Sequence, residues 1–74
     1  MRYHIIINHY ETLRGEDEEY LKLVQKHSSD AEILEIDDKG DSAKIMIHSD
    51  NHDGLLDAVS ELSCTVSVSK VFGL

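Results

Sequence analysis

The sequence predicts a single α+β domain in which two helices and four strands follow one another in the order β-α-β-β-α-β. Its 74 residues are enough for one small domain, taken as residues 1–74. Several segments alternate apolar and polar residues, which is typical of strands, and two others repeat apolar residues at helical spacing. Hydrophobic residues are 41% of the chain and charged residues 30%, so we expect it to fold.

The first strand is predicted over residues 2–9, because isoleucines at positions 5 and 7 alternate with another set of side chains. That second set faces outward and consists of His4, Ile6 and Asn8. The first helix is predicted over residues 16–28. Four consecutive acids, Glu16 to Glu19, begin it where the helix dipole favours negative charge, and basic residues lie near its end.

A hairpin is predicted from residues 31–38 and 41–49, with its turn at Lys39-Gly40. If the loop is centred on these two residues, Glu35 faces Lys44. The same register places Ile33 opposite Met46. Opposite-charge and apolar pairs of this kind stabilise a sheet by about 0.2–1 kcal/mol each, so we expect this register.

The second helix is predicted over residues 52–62. Its apolar residues recur at helical spacing after a run of capping residues, and they are Leu55, Ala58, Val59 and Leu62. A last strand is predicted from residue 64 onward, because Cys64, Val66 and Val68 alternate with small hydroxyl residues.

Two right-handed β-α-β connections around a hairpin give the arrangement called ferredoxin-like. We therefore expect an antiparallel sheet with the strand order 4-1-3-2, with both helices on one face and the other face open. The open face is predicted to carry an apolar stripe of Ile6, Ile33 and Met46. Such a stripe suits a homodimer interface or a small regulatory ligand.

Seven basic and 15 acidic residues give the chain a net charge of −8. This charge repels phosphate backbones and anionic lipids, so we expect no direct binding to nucleic acid or to membranes. The single cysteine forms no internal disulfide, and no apolar run is long enough for a membrane span or a secretory signal. The sequence therefore predicts a cytoplasmic protein.

The predicted topology collects acidic residues at one end of the sheet, where the connection into the first helix meets the hairpin turn. The end of the second helix, which carries Glu61, is predicted to lie at the same end. The candidate partner-binding residues are Glu11, Glu16, Asp17, Glu18, Glu19, Asp37, Asp38 and Asp41. Like charges gathered in this way oppose folding, and a target would explain their concentration. We expect a basic partner that handles nucleic acid, because its arginine and lysine grooves are built for a dense row of negative charges.

Two acidic segments, Glu16-Asp17-Glu18-Glu19 and Asp37-Asp38-Lys39-Gly40-Asp41, carry a resemblance to known proteins. In size, acidity and lack of an active site, the chain resembles the small acidic inhibitors of phages and mobile elements, including anti-CRISPR and anti-restriction proteins. The resemblance implies that the protein is an inhibitor that acts as a DNA mimic inside a host cell.

The residue types present disfavour catalysis and metal binding. No catalytic triad, glycine-rich phosphate loop or nucleophile elbow can be assembled, so we predict that the protein is not an enzyme, has no catalytic residues and needs no cofactor. His4, His48 and His52 are weak candidates for a metal site beside Asp50, but surface histidines are the simpler interpretation, and we predict no bound metal.

The alternative function is a regulatory module that binds a small ligand or a metal on the open sheet face. Salt separates the two functions, because it screens contacts between charged surfaces and leaves apolar or metal contacts largely intact.

Overall fold

The computed structural model describes residues 2–73 and follows the predicted element order up to its last strand. Its elements are β1 (Tyr3–His9), α1 (Glu16–His27), β2 (Glu32–Asp38), β3 (Ala43–Ser49), α2 (His52–Leu62), β4 (Ser67–Val68) and β5 (Phe72–Gly73). The strands form one antiparallel sheet in the order β2-β3-β1-β4, and β5 also pairs with β1. The fold is α+β, compatible with the ferredoxin-like arrangement, and the predicted strand order is confirmed.

The core lies between the sheet and the two helices. Ile5 and Ile7 of β1 pair with the isoleucines of β3, and none of these four side chains is exposed. Side chains from both helices cover them, namely Val24, Leu55, Ala58 and Leu62. Both helices therefore pack on one face, as predicted, and each buried isoleucine contributes about 1.5–3 kcal/mol. Within residues 2–73, neither helix is long and apolar enough to cross a membrane.

Gly54, in the first turn of α2, lies close against the end of α1. This turn is capped by Asn51, whose Oδ1 accepts a hydrogen bond from the Gly54 N–H at 3.0 Å. A Cβ atom at Gly54 would overlap the carbonyl oxygen of His27 and the hydroxyl of Ser28 at the end of α1. The close approach of α2 to the end of α1 therefore requires glycine at this position.

The hairpin register differs from the prediction by two residues. Its loop runs from Lys39 to Ser42, where the Lys39 N–H donates to the Ser42 carbonyl at 2.8 Å, so the loop is not centred on Lys39-Gly40. As a result, Lys44 pairs with Asp37 and not with Glu35. A shift of two residues keeps each side chain on its face, so the alternation of apolar residues does not reveal it.

A bulge near Leu34 moves Ile33 to the core side of the sheet. The register changes by one residue between Ile33 and Glu35, as it does where one strand carries an extra residue. Ile33 consequently pairs with Ile47 and packs against the core, so its predicted place beside Met46 on the open face is wrong.

The last strand begins later than predicted. After α2 the chain makes further helix-like turns, in which the N–H groups of Thr65 and Val66 donate to the Leu62 carbonyl at 3.0 and 2.9 Å. Cys64 is therefore exposed just beyond the helix and does not face the core from a strand. Residues 64–68 do alternate between apolar and hydroxyl side chains. Residues 64–66, however, lie in the turns that follow α2, so only Ser67 and Val68 of this segment belong to the strand.

β4 and β5 lie end to end along β1, with an irregularity at Ser69 between them. The Ser69 N–H donates to the Ile6 carbonyl at 2.9 Å, and the Ser69 hydroxyl accepts from the Ile6 N–H at 2.8 Å. Before this point Val68 packs against the core, whereas after it Phe72 pairs with His4 on the open face. The one-residue change of register thus turns the aromatic ring onto the open face.

Candidate functional site

The two acidic segments meet at one end of the sheet. The hydroxyl of Thr12, in the connection from β1 to α1, donates to the Gly40 carbonyl of the hairpin loop at 2.8 Å. This contact joins the loop that precedes the acids of α1 to the loop that follows the acids of β2. We call this region the acidic end, defined by Glu11, Glu16, Asp17, Glu18, Glu19, Asp37, Asp38 and Asp41.

Within the hairpin loop, Asp38 also shapes the turn. Its Oδ1 accepts a hydrogen bond from the Gly40 N–H at 2.9 Å. Gly40 has a φ of 88°, in the left-handed region that favours glycine. Asp37 and Asp41 are exposed beside this turn without hydrogen bonds from their own side chains within residues 2–73. These two carboxylates are therefore free to contact a partner, whereas Asp38 is partly committed to the loop.

At the start of α1, one acid likewise accepts a hydrogen bond from the chain, whereas its neighbours remain available to a partner. The Glu16 carboxylate accepts a hydrogen bond from the Arg14 N–H, and this bond is the main cause that lowers the pKa of Glu16 below its ordinary value. Asp17 and Glu18 lie in the same first turn, where the helix dipole stabilises a negative charge. A surface cleft of about 370 Å³ separates this turn from Glu11, with Thr12 and Arg14 in its lining.

A histidine and a tyrosine lie beneath the acidic end. His9 Nδ1 and the Tyr20 hydroxyl are 2.9 Å apart, joining the last residue of β1 to α1. Burial raises the pKa of Tyr20, and the charges of Glu16 and Glu11 raise it further. Our sequence reasoning missed this pair. The signals available were position 9, which falls on the core side of β1 by alternation, and Tyr20, which stands among the apolar residues Leu21, Leu23 and Val24 of α1.

Ion pairing separates the acidic end from the other acids. Arg2 pairs with both Asp30 and Asp50 at 3.2 Å. Glu61 was predicted to lie at the acidic end, but it pairs instead with Lys26 at 3.4 Å, near the end of α1. Within residues 2–73, Glu19 is the one member of the acidic end in an ion pair, at 3.9 Å from Lys22. In the described chain the other members therefore have no cation within 4 Å, although Lys44 lies opposite Asp37 in the hairpin.

The open face carries three cross-strand pairs between β1 and β3, which are His4 with His48, Ile6 with Met46, and Asn8 with Lys44. The predicted apolar stripe is therefore reduced to Ile6 and Met46, since Ile33 lies on the other side. A cavity of about 150 Å³ on this face is lined by these two apolar residues together with Glu35, Asp37 and Lys44.

The three candidate histidines do not come together. His4 and His48 are paired on the open face, and His48 Nε2 lies 3.7 Å from Glu32 Oε2. The ring of His52 packs instead against Tyr3, with ring centroids 4.8 Å apart. Within residues 2–73, no group of three or more histidine, cysteine or acidic side chains has the geometry to hold a metal ion.

His4 is buried, with 4% exposure, although an outward-facing histidine was expected to be a surface group. The cause is the unpredicted strand β5, whose Phe72 ring lies 4.6 Å from the His4 ring between centroids.

No protein-family model matches the sequence, and no curated protein or solved structure is significantly similar to it.

Proposed function

We propose that the protein is a noncatalytic binding module whose acidic end occludes a nucleic-acid-binding surface of a larger basic protein or complex. The observation that carries this proposal is the distribution of ion pairs. Most acids elsewhere have a cation or a histidine within 4 Å, whereas in the acidic end only Glu19 has one, among residues 2–73. A partner rich in lysine and arginine supplies the missing countercharge.

The physical basis is charge density. Duplex DNA presents one negative charge per about 1.7 Å of axis, and its binding proteins carry basic grooves directed at that array. The acidic end places carboxylates from two chain segments around the Thr12–Gly40 contact. Uncompensated like charges disfavour the compact fold, so their concentration in one region is more easily explained by a target than by solubility.

The proposed mode of action is that of the DNA-mimic inhibitors of phages and mobile elements, the anti-CRISPR and anti-restriction class. In this proposal the protein acts in the cytoplasm of a host cell, without a cofactor, and competes with nucleic acid for its target. The competition weakens as salt rises, because exposed charges are screened beyond about 8–10 Å near physiological ionic strength.

The test uses a charge reversal that spares the acids with structural roles. Asp17→Lys with Asp41→Lys changes the acidic end and leaves the Glu16 and Asp38 hydrogen bonds in place. The matched control is Asp53→Lys with Asp57→Lys, which makes the same change of charge on α2. Asp53 is the second residue of α2, as Asp17 is of α1, so both variants lose one favourable dipole contact.

Each variant is first checked for folding by circular dichroism. A partner isolated from nuclease-treated host lysate is then purified, and its affinity for each variant is measured by calorimetry with and without duplex DNA. We expect the acidic-end variant to bind at least about 100-fold more weakly, the control to bind within about threefold of the parent, and DNA to compete with the parent. Equal loss in both variants, or a partner that binds the parent and DNA together, would rule out occlusion by the acidic end.

A further inference from the structure

One edge of the sheet is open to the addition of another strand. β2 lies at this edge and pairs only with β3. Within residues 2–73, no backbone hydrogen bond joins residues 33–37 to a segment other than β3. The opposite edge is different, because β4 and β5 have two residues each and are separated by the irregularity at Ser69. Unpaired N–H and C=O groups on an edge strand are a template for a further strand.

The side chains along this edge have different chemistry on the two faces of the sheet. Leu34 and Ile36 are 48% and 39% exposed, which is unusual for large apolar side chains of a strand beside a core. Glu35 and Asp37 project on the open face, where they pair with Met46 and Lys44 of β3. The edge thus offers apolar contacts to one side of an added strand and carboxylates to its other side.

The cavity on the open face lies beside this edge and is lined by residues of β2, β3 and β1. It holds about 150 Å³ and combines the carboxylates of Glu35 and Asp37 with Lys44 and with the apolar side chains of Ile6 and Met46, so carboxylates outnumber cations in its lining. Lysine and arginine have an aliphatic stem and a charged tip, and such side chains cover apolar surface while their charge meets a polar group. Neighbouring strands are about 4.8 Å apart, so a lysine or arginine on an added strand reaches the two carboxylates.

We infer that the β2 edge binds an extended, basic segment of the partner protein, which adds to the sheet as a further strand beside β2. Its lysine or arginine residues, at alternate positions, lie over Glu35 and Asp37, and its apolar residues cover Leu34 and Ile36. Main-chain hydrogen bonds supply affinity in this mode of recognition, and the alternate side chains supply specificity. The inference rests on the proposed function and names the way in which the basic partner is held.

A second copy of this chain fits the same edge less well than a basic strand does. Antiparallel pairing of two β2 strands centred on Ile36 places Glu35 of each copy opposite Asp37 of the other. Moving the centre to Glu35 or to Asp37 places identical acids opposite each other. Like charges directly opposite in a sheet are destabilising, so these three registers disfavour self-pairing, whereas a basic strand is favoured in each of them.

The probe is the peptide acetyl-Lys-Val-Lys-Val-Lys-Val-Lys-amide, titrated into isotope-labelled protein and followed by NMR. The control peptide has the same sequence with N-methyl groups on alternate residues, which keeps the charge and removes the hydrogen bonds on one side. We expect shifts of the β2 amides, slower hydrogen exchange at residues 35–37, and binding of the N-methylated peptide that is at least about tenfold weaker. Equal binding of both peptides overturns strand addition.

Protein variants test the side-chain part of the inference. Glu35→Gln with Asp37→Asn is expected to weaken peptide binding about tenfold, and the matched control Asp53→Asn with Asp57→Asn is expected to leave it unchanged. Equal weakening in both variants, or dimers of the protein alone joined through β2, overturns the inference. The Asp17 and Asp41 variant judges the proposed function separately, because neither residue lies on the β2 edge.

Discussion

The Ser69 hydroxyl accepts a hydrogen bond from the Ile6 N–H at 2.8 Å, in the place where a neighbouring strand would present a carbonyl oxygen. The Ser69 N–H returns a bond to the Ile6 carbonyl at 2.9 Å. Ser69 thus provides hydrogen-bond partners for both the N–H and the carbonyl of Ile6, while the chain changes register between β4 and β5.

Ser69→Ala removes the acceptor of the Ile6 N–H. We expect the free energy of unfolding to fall by about 1–3 kcal/mol, because a poorly solvated donor is left without a partner. The matched control is Ser67→Ala, at an exposed position in β4, which should change stability by less than about 0.5 kcal/mol. Urea unfolding followed by circular dichroism measures both, and equal stability of the two variants would show that the hydroxyl is not structural.

Gly54→Ala places a methyl group against the carbonyl oxygen of His27 and the Ser28 hydroxyl. We expect destabilisation by about 1–3 kcal/mol, because the end of α1 and the start of α2 must move apart. In an open helix the same change stabilises by roughly 0.5–1 kcal/mol. Ser60→Ala, on the exposed side of α2, is the control and is expected to be close to neutral. Thermal unfolding of the two variants decides between crowding and helix propensity, and a stabilised Gly54 variant contradicts the close approach.

The Asp30 carboxylate predicts a dependence of stability on acid pH. It accepts a hydrogen bond from the Ser49 hydroxyl at 2.5 Å and another from the Asp50 N–H at 2.8 Å. These bonds, the Ser49 bond first, hold the pKa of Asp30 below its ordinary value of 3.8. Because the folded-state pKa is lowered, the stabilisation is complete above the unfolded-state value and is lost as pH falls through the folded-state value.

The measurement is urea unfolding of the parent and of Asp30→Asn from neutral pH to pH 2. We expect their difference in free energy of unfolding to be constant above about pH 5 and to shrink below pH 3.8. Asp57→Asn serves as control, since Asp57 is exposed and has no ion pair within residues 2–73. A difference for Asp30→Asn that is the same at every pH would mean that the carboxylate charge contributes nothing.

The partly buried side chain of Tyr20 predicts an effect at alkaline pH. Its pKa is raised above the ordinary value of 10.0, first by burial and then by Glu16 and Glu11. The neutral phenol is therefore favoured in the folded state, and this stabilisation is complete below pH 10 and lost as pH rises through the folded-state pKa. Ultraviolet titration of the three tyrosines should show one that ionises late, and Tyr20→Phe should remove that step. Its survival in Tyr20→Phe would assign the late step to another tyrosine.

Local sequence patterns predicted a helix or a strand correctly wherever a single kind of repeat, helical or alternating, ran through the whole segment. The acids of α1 and the apolar stripe of α2 marked both helices to within a residue of their observed bounds. The register of the hairpin was not available in the same way, because a shift of two residues preserves the faces and the loop length depends on the Asp38 and Lys39 hydrogen bonds. The bulge that moves Ile33 has no signature in the alternation.

The open face was the hardest part to predict, because its properties depend on the chain after Ser69. The segment from Lys70 to Gly73 is too short to show a period, so no pattern indicated that Phe72 covers His4. The positions of the acidic-end residues were easier to predict, since these residues lie in loops, at the start of α1 and at the end of β2, and topology places these parts at one end of the sheet. The ion pair that withdraws Glu61 from this end depends on the angle between two helices, which a linear pattern does not contain.

The pairing of Tyr3 with Gly73 brings two distant parts of the chain side by side at the end of the sheet away from the acidic end. Antiparallel partners have Cα atoms about 4.5–5.5 Å apart. A fluorophore or surface tether attached beside this pair lies about 20 Å along β1 from the β1–α1 loop. An immobilised molecule anchored there presents its acidic end outward, so a large partner can approach it without meeting the support.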